Sequence, residues 1–154
     1  MAVVTVIAAG VIGHLRAPSY DDAALPPLRG VMLDGGTFDS AAVNPAPYVL
    51  HFWATWCPVC RAEAGNIDAL AKEATVVTVA VKSGSDEAVA AYLHKNALAF
   101  PVLNDQNGAV ATAYQIGVFP TTIIVGKDGK VFWAESGYTT TWGLKLRLWL
   151  AEML

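Results

Sequence analysis

The chain has 154 residues, 55% of them apolar and 15% charged, with a formal net charge of −3. That length suits one domain with a full hydrophobic core. No Lys/Arg run is present, which argues against a nucleic-acid partner, and two cysteines in one motif leave no disulfide framework.

The first segment, "MAVVTVIAAGVIG" (Met1 to Gly13), carries no charged side chain. As a helix it would span roughly 20 Å, short of the roughly 30 Å hydrocarbon core. It also lacks the basic start of a signal peptide. Residues 1–15 read as the remnant of an N-terminal membrane anchor; the alternative is a buried strand through Val3–Ile7. Residues 16–29, "RAPSYDDAALPPLR", read as an extended, Pro-punctuated linker, which leaves 30–154 as the folded domain.

"VMLDGGTFD" (Val31 to Asp39) sets Asp-Gly-Gly between apolar runs and predicts a hairpin. "PYVLHFWA" (Pro47 to Ala54) is apolar almost throughout and predicts a strand buried on both faces. A helix follows from Pro58 to about Lys72, with Pro58 in its first turn, where a missing N–H costs nothing. "TVVTVAVK" (Thr75 to Lys82) predicts a second buried strand. "SDEAVAAYLHKN" (Ser85 to Asn96) predicts a helix with Val89, Tyr92 and Leu93 on one face. "FPVLND" is a short extended piece and "GAVATAYQI" (Gly108 to Ile116) a short helix. "TTIIVGKDGKVFWA" is a hairpin around Lys-Asp-Gly. The final segment alternates like a strand. However, Trp142, Leu146, Trp149, Leu150 and Met153 recur at helical spacing, so it is read as a helix with those residues as its apolar face. Two strands joined through a helix should be parallel with a right-handed crossover. The expected fold is α/β, a central mixed sheet flanked by helices on both faces, with an N-terminal β-hairpin.

"HFWATWCPVCRAE" (His51 to Glu63) holds both cysteines. Cys57 falls where a buried strand ends and a helix begins, beside unsatisfied N–H groups and the positive end of the helix dipole. That setting favours thiolate over thiol. Cys60, one turn on, is shielded. The natural roles are Cys57 as attacking thiolate and Cys60 as resolving thiol. Structural zinc needs four ligands, and two thiols with scattered His14, His51 and His94 do not supply them. No metal site is therefore assigned. A Cu(I)-binding module using the same two soft ligands stays open as the rival reading.

Taken together, "FWATWCPVCRAE" and the downstream "YQIGVFPTTIIVGKDGKV" resemble the exported, membrane-anchored TlpA-like group of thioredoxin-fold oxidoreductases. Within it the suppressor-of-copper-sensitivity D and DsbE-like types are the nearer match. The resemblance covers roughly residues 28 to 154. It implies a thioredoxin-like fold with a redox-active Cys57–Cys60 disulfide and no further cofactor. It implies a cis-proline at Pro120 facing the dithiol, and substrate main chain pairing at Phe119, with Trp56 and Pro58 lining the same surface. Glu63 matches the group's acidic residue three positions after the second cysteine. It is either the proton acceptor for Cys60 or an ordinary first-turn glutamate favoured by the helix dipole.

Three departures stand out. His51 occupies the place of thioredoxin's buried Asp, and is either a proton relay near neutral pH or a neutral core histidine held by one hydrogen bond. Gly65 replaces an expected proline. "GVFPTT" lacks the longer stretch of the cytochrome-maturation members, which argues against a dedicated haem-apoprotein reductase. Between the cysteines stand Pro58 and Val59, and Val59 has no polar group to hold a thiolate as the histidine of DsbA-type oxidants does. The couple is expected to be intermediate to reducing, roughly −160 to −260 mV. The expected activity is that of a protein thiol:disulfide reductase or isomerase acting on exported proteins. A DsbD-like membrane donor would reload the pair. The setting would be the bacterial periplasm or the outer face of the inner membrane. The chain is read as a monomer whose only membrane contact is the N-terminal segment.

Overall fold

The computed structural model describes residues 11–20, 25–43 and 46–154. Its centre is a five-stranded mixed sheet in the order β5-β4-β3-β6-β7, with β3 at Tyr48–Trp53, β4 at Val76–Val81, β5 at Val102–Asp105, β6 at Thr121–Val125 and β7 at Val131–Ser136. β3 and β4 run parallel, as do β4 and β5, while β6 is antiparallel to β3 and β7 to β6. A separate antiparallel pair, β1 (Arg29–Val31) and β2 (Thr37–Asp39), is joined through a turn in which the Gly35 N–H donates to the Met32 carbonyl at 2.9 Å.

Every residue of β3 is buried, as its unbroken apolar run requires. Alternation splits its side chains between two cores. Val49 and Trp53 face the core built with helix α3 (Pro58–Ala71), α4 (Asp86–Lys95) and α6 (Thr141–Met153). Leu50 and Phe52 face the opposite core, which includes Ala111 of α5 (Ala109–Ala113), Tyr114, Ile116 and Leu28. A four-residue turn of helix, α2 (Ser40–Val43), follows β2.

The helix ends follow local chemistry. Ser85 Oγ accepts the Ala88 N–H at 3.3 Å and opens α4, whose first turn carries Asp86 and Glu87 and whose last carries His94 and Lys95. Thr140 Oγ1 accepts the Gly143 N–H at 3.1 Å and opens α6. In the β6–β7 hairpin, Gly129 takes φ of 76°, which the turn needs and glycine tolerates.

Residues 11–16 form a helical turn, α1, and the expected alternative strand at Val3–Ile7 lies outside the described residues. His14 Nδ1 donates to the Ala134 carbonyl at 2.9 Å, and its ring stacks on Trp133 with centroids 4.6 Å apart. Gly13 sits so close to β7 that a β-carbon there would stand 2.7 Å from the Ser136 carbonyl oxygen. Among the described residues no helix is long and apolar enough to cross a membrane. The stretch read as a linker has no helix or strand at 18–20 and 25–28, yet it lies against the domain. Leu28 is buried, and Tyr20 and Tyr114 hydroxyls donate to the carbonyls of Tyr114 and Pro26.

The C-terminal segment is a helix as expected, but its inward face is Leu144, Leu148 and Ala151. The residues expected to pack, Trp142, Leu146, Trp149, Leu150 and Met153, are 80, 58, 53, 36 and 63% exposed. Apolar residues surround most of this helix, so periodicity alone allows either face. On this rotation Leu144, Leu148 and Ala151 enter the core shared with α3 and β6, Lys145 pairs with Glu73 of α3 at 2.8 Å and Arg147 pairs with Glu135 of β7 at 3.0 Å. Leu144→Ala should therefore cost about 3 kcal/mol in urea denaturation, while Trp142→Ala should cost less than about 0.5 kcal/mol. The reverse order would restore the first-expected face.

Candidate active site

The central strand β3 ends at Trp53, and Cys57 becomes the N-cap of α3 with φ −91° and ψ 114°. Pro58 occupies the first helical turn, where its lack of an N–H leaves no bond unmade. Cys57 and Cys60 are joined as a disulfide with Cα atoms 5.3 Å apart, and Cys57 Sγ also accepts the Cys60 N–H at 3.1 Å. The sulfur thus occupies the place of a capping side chain, against the positive end of a fourteen-residue helix. Both cysteines are buried, whereas Trp56 and Val59 on either side are exposed.

Two loops frame this end of α3. From the β4 side, the Lys82 carbonyl accepts Trp56 Nε1–H at 3.1 Å, and Ser83 Oγ accepts the Thr55 N–H at 3.0 Å. From the β6 side comes a cis peptide at Phe119–Pro120. The Phe119 ring meets Trp56 edge-on at 5.7 Å. Thr121 Oγ1 donates to the Val118 carbonyl at 2.7 Å and shares a hydrogen bond with Ser136, and the Gly137 N–H donates to the Pro120 carbonyl at 2.8 Å. Phe119 and Trp56, expected on one surface, are in contact.

Glu63 lies one turn after Cys60 and is fully buried. Its Oε1 accepts the Thr139 N–H at 3.1 Å, and its Oε2 has no hydrogen-bond partner among the described residues. Burial pushes its carboxyl up to about 8; the Thr139 N–H opposes that rise and the charge of Glu135 adds to it. His51 shares a 3.0 Å hydrogen bond with Thr122 Oγ1 through Nδ1 and points into the same layer as α3. Burial lowers its pKa to about 3, so the imidazole is neutral across the physiological range. Its one hydrogen bond runs to Thr122 across the sheet, not to either sulfur. Among the described residues no three His, Cys, Asp or Glu side chains converge as a metal site, so a Cu(I) ion would have the two thiols as its donors.

The sequence reading missed Thr139, Thr122, Glu135 and Arg147. The usable signal was an acidic residue inside a β-strand ("VFWAES") and an arginine on an otherwise apolar helix ("LKLRLWL").

The Redoxin family model matches residues 16–144. The chain is 43% identical over 122 residues to a thioredoxin-like protein of Haemophilus influenzae, covering 78% of this chain and 72% of that one. It is 35% identical over 103 residues to the thiol-disulfide oxidoreductase ResA of Oceanobacillus iheyensis, covering 64% of this chain and 54% of that protein. It superposes on a secreted disulfide oxidoreductase of Mycobacterium tuberculosis with a TM-score of 0.71 at 27% identity, over 84% of this chain and 99% of that one.

The carboxyl of Glu63 carries a stability signature. In the unfolded chain it has the ordinary value of 4.5 and in the fold about 8. Between those values the unfolded chain has released the proton and the fold has kept it, so stability falls as pH rises through the window. Relative to Glu63→Gln, the oxidised wild-type protein should lose about 2–5 kcal/mol between about pH 4 and pH 9. Urea titrations at several pH values check this, and a difference that stays flat or changes sign contradicts the buried carboxyl.

Proposed function

The chain belongs to the Redoxin family and is a thiol:disulfide oxidoreductase of thioredoxin-like fold, and we propose that it works as a reductase or isomerase of disulfides in exported proteins. The observation that carries this reading is the Cys57 sulfur at the N-cap of α3, beside an apolar rim of Trp56, Val59, Val118 and Phe119. Substrate main chain lies along Phe119 and Pro120, with Trp56 and Pro58 as the opposite wall. No polar group stands between the cysteines to hold the Cys57 thiolate, which favours the reducing direction.

The reduced Cys57 thiolate attacks one sulfur of the substrate disulfide. A Cys57–substrate bond forms, the substrate S–S bond breaks, and the first substrate thiolate leaves and takes a proton from solvent. Cys60 then gives its proton to Glu63, and its thiolate attacks Cys57 Sγ. The Cys57–Cys60 bond forms as the mixed disulfide breaks, and the second substrate thiolate is released and protonated. Two electrons pass from the dithiol to the substrate. His51, neutral and tied to Thr122, supports the floor of the site as a positioning residue.

The Mycobacterium tuberculosis relative is named as secreted, which supports export to the periplasm or the outer face of the inner membrane. Residues 30–154 would be the monomeric catalytic domain. A DsbD-like membrane reductase is the proposed donor. The Cys60→Ala variant should accumulate a covalent Cys57-linked substrate on non-reducing gels, and Cys57→Ala should lose reduction of insulin by at least about a hundredfold, the attacking thiolate being gone. A Cys57→Ala protein with full activity would refute the role assignment. Reduced protein that binds Cu(I) stoichiometrically but exchanges no disulfide would favour the copper module.

A further inference from the structure

Under α3 and α6 the sheet carries a polar row where its neighbours are apolar. The register sets His51 opposite Thr122 and Thr122 opposite Glu135. All three are buried. Val49, Trp53 and Ile124, two positions away on the same strands, belong to the core that packs α3 and α6. Strand alternation therefore places the whole row on that face.

Two ionisable side chains descend onto the row, Glu63 from α3 and Arg147 from α6. Arg147 pairs with Glu135 Oε2 at 3.0 Å, and its guanidinium lies 4.9 Å over Trp133, the ring that His14 also stacks on. The other oxygen of Glu135 is buried without a partner among the described residues, and so is Oε2 of Glu63. Two buried carboxyls thus each have one oxygen held and one bare, in the same layer, with the charge of one acting on the other. Fold stability does not call for this. A buried ion pair is commonly no better than an apolar pair of similar volume, and a bare buried oxygen is a cost.

We propose that Glu135 and Arg147 are positioning residues for thiol exchange, an ion pair whose balance of charge governs how readily Glu63 takes the proton of Cys60. The proposal rests on the role given to Glu63 above. In the resolving step Glu63 begins charged and ends neutral as Cys60 Sγ–H gives up its proton. The negative Glu135 favours the neutral end and makes Glu63 a stronger base. Arg147 restrains that push. Glu135 is the charged group acting on Glu63; His51 on β3, in the same layer, is neutral through the range concerned, and Cys60 stands one turn before Glu63 on α3. Thr122 and Thr139 contribute neutral dipoles, and His14 lies beyond Trp133.

The test follows the reduced protein reacting with Ellman's reagent in a stopped-flow instrument. The first release of thionitrobenzoate reports attack by Cys57, and the second reports resolution by Cys60. In the wild type the second rate should rise with pH along a limb set by Glu63, and E63Q should lack that limb. E135Q should move the limb to lower pH and R147M should move it to higher pH. Each shift should be about half a pH unit or more, about threefold in rate at a fixed pH on the limb. R147K, which keeps the charge, should return the limb to its wild-type place. Should E135Q not fold, the opposed behaviour of R147M and R147K still decides the matter. A limb lost in E63Q but unmoved in R147M, or moved the same way by E135Q and R147M, overturns the proposal and leaves Glu63 as the base. A limb that survives E63Q overturns both.

Discussion

Cys57 is at once the last residue of an extended segment and the cap of a helix, and the rest of the site depends on that coincidence. Its sulfur accepts the Cys60 N–H, so the first turn of α3 closes on the reactive atom itself. The position is dictated from below. β3 is hydrogen-bonded on both sides, to β4 and β6, and buried on both faces, so it has no freedom to slide. A one-residue slip would exchange its two cores, placing Leu50 and Phe52 against α3 and turning His51 away from it. Hydrophobic burial along β3 is thus what holds a sulfur at a helix N-terminus.

That arrangement divides the chemistry between two depths. At the surface Trp56, Val59, Val118 and Phe119 are apolar and available to a partner chain. One helical turn deeper Glu63 is shut away from water with one oxygen held by Thr139 and the other without a partner among the described residues. Such a carboxyl is costly when charged, and it therefore accepts a proton more readily than a surface glutamate. Cys60, buried and one turn before Glu63, lies between the two depths and is the thiol whose proton moves in the proposed resolving step. The β7 strand closes the deep end. Its Glu135 and the loop residue Thr139 belong to the same strand-and-turn that carries Ser136 to Thr121 and Gly137 to Pro120. One segment therefore positions both the proline loop and the partners of Glu63.

Much of this was legible in the sequence because it rests on local rules. The apolar run of β3, the proline after Cys57, the Ser-Asp-Glu start of α4 and the Asp-Gly of the last hairpin each specify their element without help from elsewhere. The proline before β6 was legible only together with the dithiol motif, since Pro120 alone reads as a strand start. The orientation of α6 was not legible, because its sequence is apolar around most of its circumference. Its rotation goes with the packing of Leu144, Leu148 and Ala151 into the core and with the buried pair of Arg147 and Glu135, tertiary contacts that periodicity does not see. The polar row His51–Thr122–Glu135 escaped for a related reason. It exists only through cross-strand register: Thr122 and Glu135 meet across one hairpin, but His51 joins them from 71 residues away. His51 was noticed as a departure, but only the three-dimensional pairing with Thr122 assigns its hydrogen bond.

The central claim is that this dithiol exchanges disulfides with a bias toward giving electrons. The most direct measurement equilibrates the protein in glutathione redox buffers and reads the fraction of Cys57–Cys60 disulfide by alkylation and mass spectrometry. With Val59 between the cysteines and a buried carboxyl beneath Cys60, the midpoint should fall at roughly −160 to −260 mV, between DsbA and thioredoxin. A midpoint near about −120 mV, as oxidising as DsbA, would contradict the account and make the protein an oxidant.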